Sequence, residues 1–163
     1  MPDLNKPVIE QATIEDLPEM VELLYDLFSQ EGDFVPDRAK QERGLRLILE
    51  EPSRGRVFVY RWNEKILGMV NLLFTISTAE GGFVVLLEDV IVHHEYRGRG
   101  VGTQLLTHAI EYAKKKEFSR ITLLTDRLNE EGHDFFSRLG FFKSQMIPLR
   151  LPLVKDSATL PKG

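Results

Sequence analysis

No cysteine occurs anywhere in the 163-residue chain. Disulfides, thiolate metal sites and any covalent acyl-cysteine mechanism are therefore excluded. Histidine is scarce too. His93, His94, His108 and His133 are the four, and none falls in an HExxH or similar ligand spacing, so no metal site is expected. No window approaches the ~18 uninterrupted apolar residues that a membrane-spanning helix needs, so no membrane partner is expected. The start, MPDLNKPVIE, lacks the basic residues and apolar stretch of a secretory leader, which makes the cytoplasm the expected location. A basic surplus is also missing. The formal net charge is -4 and there is no basic stripe, which argues against a nucleic-acid partner.

What is present fits one soluble domain. Hydrophobic residues make up 42% and charged residues 28%, and the length allows a substantial core. The expectation is a single domain over 1–163, with a polar, flexible tail from about 153. Pro7 to Ala12 reads as a short strand. Thr13, with Asp16 three residues on, makes a capping-box-like helix start. Leu17, Met20, Leu24, Leu27 and Phe28 then recur at helical spacing. A second helix is expected after Pro36, with Leu45, Ile48 and Leu49 on one face. Arg56–Trp62 and Lys65–Ile76 read as a hairpin about Asn63-Glu64, and Phe83–Val92 as a third strand, apolar enough to be covered on both faces. Helices are expected over Gly102–Glu117 and Asn129–Leu139, and strands over Arg120–Thr125 and Phe141–Leu149. The fold class is mixed α/β, one sheet covered by helices.

One junction carries chemistry. The strand ending at Val92 runs through HHEY into Arg97-Gly98-Arg99-Gly100-Val101-Gly102 and at once into a helix. Backbone N–H groups at a helix start lack intrahelical partners, and the macrodipole favours negative charge there. Glycines let the backbone approach a ligand, and two arginines add charge-assisted hydrogen bonds. The arrangement suits a pyrophosphate. It is not a Walker loop, since no GxxxxGK(S/T) pattern exists. It is a poor Rossmann fingerprint, because Thr103 takes the third glycine's place and the strand before it closes an antiparallel meander.

The stretch does match R/Q-x-x-G-x-G/A. With EDVIVHHEYRGRGVG and the later NEEGHDFFSRLGF, similar to N-x-x-A-x-x-F/L-Y-x-K/R-x-G-F, the chain resembles the GNAT superfamily of N-acetyltransferases from its first strand through Phe142. The resemblance implies a twisted, largely antiparallel sheet splayed at a central parallel pair and flanked by about four helices. It implies acetyl-CoA as donor, its pyrophosphate on the backbone of Arg99 to Gly102 with Thr103 nearby, and Arg97, Gly98, Arg99, Gly100, Val101, Gly102 and Thr103 as cofactor-binding residues. The pantetheine arm would lie along Val90, Ile91 and Val92, and Asn129, Phe135 and Phe136 would lie near the coenzyme. Arg138 could face its nucleotide.

The acceptor implied is a primary amine, on a small molecule or a peptide. An alkylammonium of pKa ~10.4 is almost wholly protonated at neutral pH, so a base is needed. Glu88, two and four residues before Val90 and Val92, is the first candidate, and Asp89 on the opposite face the runner-up. The family's tyrosine acid aligns with Phe136, which cannot donate a proton; His133 and Tyr96 are substitutes to weigh. The small residue usual before that tyrosine aligns with Gly132. The family walls its acceptor site with the first two helices and their loop, here Tyr25, Phe28, Glu31, Asp33 and Phe34, with Ser77, Thr78 and Glu80 on a later turn. Two readings stand: direct acetyl transfer in a ternary complex, or an acyl-CoA-binding module without chemistry. Dimerisation through the last strands and exposed sheet edges is a further expectation.

Overall fold

The computed structural model describes residues 6–30 and 36–154, apart from the side chains of 28–30. The order is β1 (Val8–Gln11), α1 (Leu17–Gln30), α2 (Arg38–Glu50), β2 (Gly55–Trp62), β3 (Lys65–Ser77), β4 (Gly82–Val92), α3 (Val101–Lys115), β5 (Ile121–Leu123) and α4 (Glu130–Arg138). Short 3-10 turns precede α1 and α3. The strands form one sheet in the order β1-β2-β3-β4-β5, antiparallel except for the parallel pair β4–β5.

Both sheet faces are covered, which explains why β3 and β4 read as nearly continuous apolar runs. On one face Val57, Val59, Ile66, Met69 and Ile91 pack against Met20, Leu24 and Leu45 of α1 and α2. On the other, Phe58, Val70, Leu72, Val85 and Leu87 pack against Leu105, Leu106, Ala109 and Ala113 of α3. Met69, Leu72, Leu105 and Leu106 are fully buried, and each such side chain contributes roughly 1.5–3 kcal/mol. Gly68 sets how close α3 can come, since a Cβ there would lie 2.8 Å from Leu105 Cδ1. A polar tie fixes the start of α1. The Thr13 N–H donates to the Asp16 carboxylate at 2.9 Å, and Arg61 of β2 donates to Asp16 at 2.8 Å and to Glu10 at 2.7 Å. Burial opposes the Arg61 charge, but the two carboxylates outweigh it and raise its pKa.

Two expectations are corrected. Arg120–Thr125 contracts to three laddered residues, Ile121–Leu123. Phe141–Leu149 is not laddered, and residues 141–154 run without strand partners. A strand pattern becomes a strand only against a partner edge, and no described residue pairs with that segment. The parallel pair therefore ends the sheet instead of lying at its centre.

His108 of α3 is half-buried, its ring edge-on to Phe58 at 4.7 Å. Burial and, secondly, the Lys115 charge hold its pKa below the ordinary 6.5. A histidine lowered on folding contributes stability that is whole above the unfolded value and is lost as pH falls through it toward the folded value. Urea midpoints at pH 7 and pH 5.5 should therefore drop more in the parent chain than in His108→Gln. Equal drops would show that His108 is not linked to acid destabilisation.

Candidate functional site

The site begins with a surplus residue. Asn71 of β3 faces Asp89 of β4, while the next residue, Leu72, faces Leu87. Glu88 is thus the extra residue of a β-bulge, which bends and twists the strand that carries it. Before the bulge the odd residues Val85 and Leu87 face α3; after it the even residues Val90 and Val92 do. The parallel ladder to β5 runs Val85–Ile121, Leu86–Thr122, Leu87–Leu123 and stops there, one residue before Glu88. From Glu88 to Val92 the outer edge of β4 has no ladder partner among the described residues. Its backbone groups face a gap in which an extended chain could bind as an added strand.

The two carboxylates differ. Asp89 is half-buried, and the Asn71 amide donates to it at 3.2 Å, on the face that carries Ile91. Glu88 is exposed at the bulge and makes no side-chain hydrogen bond or ion pair among the described residues. Asn71 is 4% exposed, and its Oδ1 has no hydrogen-bond partner.

The open edge leads to the glycine loop. Gly98 and Gly100 have φ of 76° and 85°, left-handed values that side-chain-bearing residues adopt at a cost. Gly100 is the N-cap of α3 and offers no side-chain cap, and the first helical bond runs from the Gln104 N–H to the Gly100 carbonyl at 3.0 Å. The N–H groups of Val101, Gly102 and Thr103 thus precede the first intrahelical donor. Around Gly98 and Gly100 a Cβ would meet nothing closer than Gln104 Nε2 at 3.9 Å, so the loop has open space on its ligand side. Arg97 folds back, its Nε donating to the Val92 carbonyl at 3.4 Å. The Arg99 guanidinium lies 5.3 Å from the centre of the Tyr96 ring, which itself packs edge-on against Trp62 and His93. Tyr96 is thus a platform for Arg99. His93 caps the 3-10 turn through the Glu95 N–H.

The next element closes one side. A Cβ on Gly102 would touch Phe135 at 3.4 Å and Val92 at 3.6 Å, so α3, α4 and the end of β4 meet there. Asn129 caps α4, accepting from the Gly132 N–H at 3.1 Å. His133 is tied to the Asp126 carbonyl at 2.8 Å and holds the loop before α4. Phe136 is half-buried between Phe135 and Phe141, at ring distances of 5.3 and 5.9 Å. Arg138 is exposed in the last turn of α4.

The expected acceptor residues are not brought together. Glu80 sits on the turn before β4, 3.8 Å from Arg120. Six residues of β4, roughly 20 Å, separate the start of the strand at Gly82 from Glu88, and Ser77 and Thr78 share the Glu80 end of the sheet. Arg38 covers the Tyr25 ring at 3.6 Å and pairs with Glu22 at 2.8 Å, so an internal cation already occupies that aromatic face. Glu31, Asp33 and Phe34, and the side chain of Phe28, lie outside the described residues. No cluster of His, Asp or Glu fit for a metal ion occurs among the described residues. No described helix is long and apolar enough to cross a membrane.

Comparison with known proteins agrees with this geometry. The model of the acetyltransferase (GNAT) family matches residues 17–141. An uncharacterized N-acetyltransferase of Methanocaldococcus jannaschii is 30% identical over 148 residues, covering 90% of this chain; the chain spans 66% of that relative's length. An aminoalkylphosphonate N-acetyltransferase of Salmonella typhimurium is 26% identical over 140 residues, 85% of this chain and 88% of the relative. An aminoglycoside N-acetyltransferase in complex with CoA superposes with a TM-score of 0.76 at 18% identity, covering 94% of this chain and 99% of its own.

A Cβ at Gly100 carries a left-handed penalty of about 1–2 kcal/mol, and binding weakens as the competent loop becomes less populated. Gly100→Ala should raise the Kd for acetyl-CoA roughly 5–30-fold in calorimetry. Gly44→Ala, in α2 where a Cβ meets nothing, should leave it unchanged. Unaltered binding by Gly100→Ala would remove the loop from the site.

Proposed function

The chain belongs to the acetyltransferase (GNAT) family, and from that premise we propose that it acetylates a primary amine, on a small molecule or a peptide, by direct attack in a ternary complex with Glu88 as the base. The donor of this family is acetyl-CoA, which when bound supplies an acetyl group already activated as a thioester. The observation that carries the proposal is the coincidence of the Glu88 bulge with the end of the parallel ladder at Leu87. An accessible carboxylate stands where the β4 edge opens.

In this reading the N–H groups of Val101, Gly102 and Thr103, with Arg97 and Arg99, hold the diphosphate. The open backbone from Glu88 to Val92 holds the amide-bearing arm. Phe135 and Phe136 wall the apolar side, and Asn129 sets the α4 end beside them. Glu88 then takes the ammonium proton, directly or through one water, and frees the nitrogen lone pair. Asp89, already accepting from Asn71, orients the strand and is the lesser candidate. Phe136 has no proton to give. None is obligatory, because a thiol of pKa ~8.5 departs readily as the anion. The absence of cysteine supports direct attack over an acyl-enzyme. For the acceptor, the loop between α1 and α2, with Glu31, Asp33 and Phe34, is the segment whose acidic and aromatic composition suits an ammonium.

Glu88→Gln should lower kcat/KM by ~10²–10⁴ while the acetyl-CoA Kd changes little, measured by released thiol, for which the protein adds no cysteine background. The deficit should narrow from pH 7 to pH 9, because free amine rises about tenfold per pH unit below its pKa. Wild-type turnover in the variant would end the assignment of Glu88. Saturable acetyl-CoA binding with no thiol release across a broad amine panel would favour a binding module.

A further inference from the structure

We propose that Asn71 is a specificity-determining residue for the acceptor. Its side-chain oxygen takes one N–H of a primary ammonium, on the face of the sheet that also carries Glu88 and Asp89, and so favours primary amines over N-alkylated ones. The inference rests on the amine acetylation proposed above and names what holds the nitrogen.

The bulge gathers three polar groups on one face. Asn71 of β3 is the single residue that Glu88 and Asp89 together oppose. Leu87 and Val90 both pack toward α3, so the two residues between them are left to the other face. Asn71 lies on that face too, since it is registered with Val57 of the core beneath α1 and α2. The side chain of Asn71 is half used. A carboxylate only accepts, so the amide nitrogen faces Asp89, at 3.2 Å, and the oxygen is the group left over. Asn71 is 4% exposed, and that oxygen has no partner among the described residues. A buried oxygen without a donor costs stability, and a donor that arrives with a ligand removes the cost. Gln41 Oε1, likewise buried and unpaired, belongs to α2 one turn before Leu45, on the same side of the sheet.

Two carboxylates and an unpaired amide oxygen suit a ligand that brings donors. A primary ammonium carries three N–H groups. Glu88 takes one proton, the Asn71 oxygen and the Asp89 carboxylate hold the two remaining N–H groups, and the nitrogen lone pair is left for attack. A secondary ammonium has one N–H fewer, so one acceptor stays unpaired. A quaternary ion has none.

The probe is n-propylammonium, which offers little but its nitrogen to recognise. In the parent chain with desulfo-CoA present, it should shift the assigned side-chain amide resonances of Asn71 saturably, and n-propyltrimethylammonium should not. In thiol release, Asn71→Leu should raise the KM for n-propylamine roughly 10–100-fold, with the acetyl-CoA Kd unchanged. The preference for n-propylamine over N-methylpropylamine should shrink with it. Asn71→Asp, which keeps an oxygen at this place, should retain the preference. A merely structural role would instead lower kcat and acetyl-CoA binding together in both variants. Resonances that stay put, or that move equally with the quaternary ion, overturn the proposal. So do a parental KM and a parental preference in Asn71→Leu. A parent chain that releases no thiol with amines counts against acetyl transfer, whereas the resonance titration needs neither transfer nor a folded variant and judges Asn71 alone.

Discussion

β4 carries one residue more than β3 can pair with, and the surplus governs the rest of the site. The ladder to β5 stops at Leu87, one residue before the bulge, and from Glu88 to Val92 the outer edge has no ladder partner among the described residues. The bulge also exchanges the parity of the strand. Leu87 before it and Val90 after it both face α3, so the core on that side stays filled although the strand is locally bent. The distortion falls on a polar pair, Glu88 and Asp89. One carboxylate is held by Asn71 and the other is left exposed.

The remaining parts act by being fixed relative to that opening. Both faces of the sheet are buried, so a ligand can reach the backbone only at an edge or at strand ends. α3 cannot shift along β4, because Leu105 and Val101 close on Gly68 and Phe135 and Val92 close on Gly102. The helix N-terminus that attracts an anion is thereby held at the end of the strand whose edge is open. Interiors packed to this density do not deform continuously, so the distance between the N-terminus of α3 and Glu88 is set by the core and not by loop adjustments.

Much of this was legible in the residues. Alternation and β-formers gave β2, β3 and β4; helical spacing gave α1, α2 and α3; RGRGVG marked the turn into α3, where two positive-φ glycines precede a helix without a side-chain cap. Glu88 and Asp89 stood out as charges inside an apolar strand. The bulge did not, because period-two reasoning assumes that no residue is inserted. The C-terminal segment misled for a different reason. Its pattern is that of a strand, but a ladder is a property of two edges, and no described residue pairs with it. Glu80 suits an ammonium by type alone, and β4 places it at the end of the sheet away from Glu88.

The chemistry asks for little beyond this arrangement. At pH 7 an amine of pKa ~10.4 is free in about one molecule in 2,500. A positioned base contributes ~10²–10⁴-fold, the same order as that deficit. Removing the ammonium proton is therefore the step on which a side chain has most leverage. A thiol of pKa ~8.5 leaves unaided to a far greater degree, so a protonating group would gain much less. On the proposed reading, the aromatic packing of Phe136 between Phe135 and Phe141, at the position where the resemblance implies a tyrosine, fits that imbalance. On that reading, a chain with its base at Glu88 loses little by having phenylalanine instead of a hydroxyl at 136.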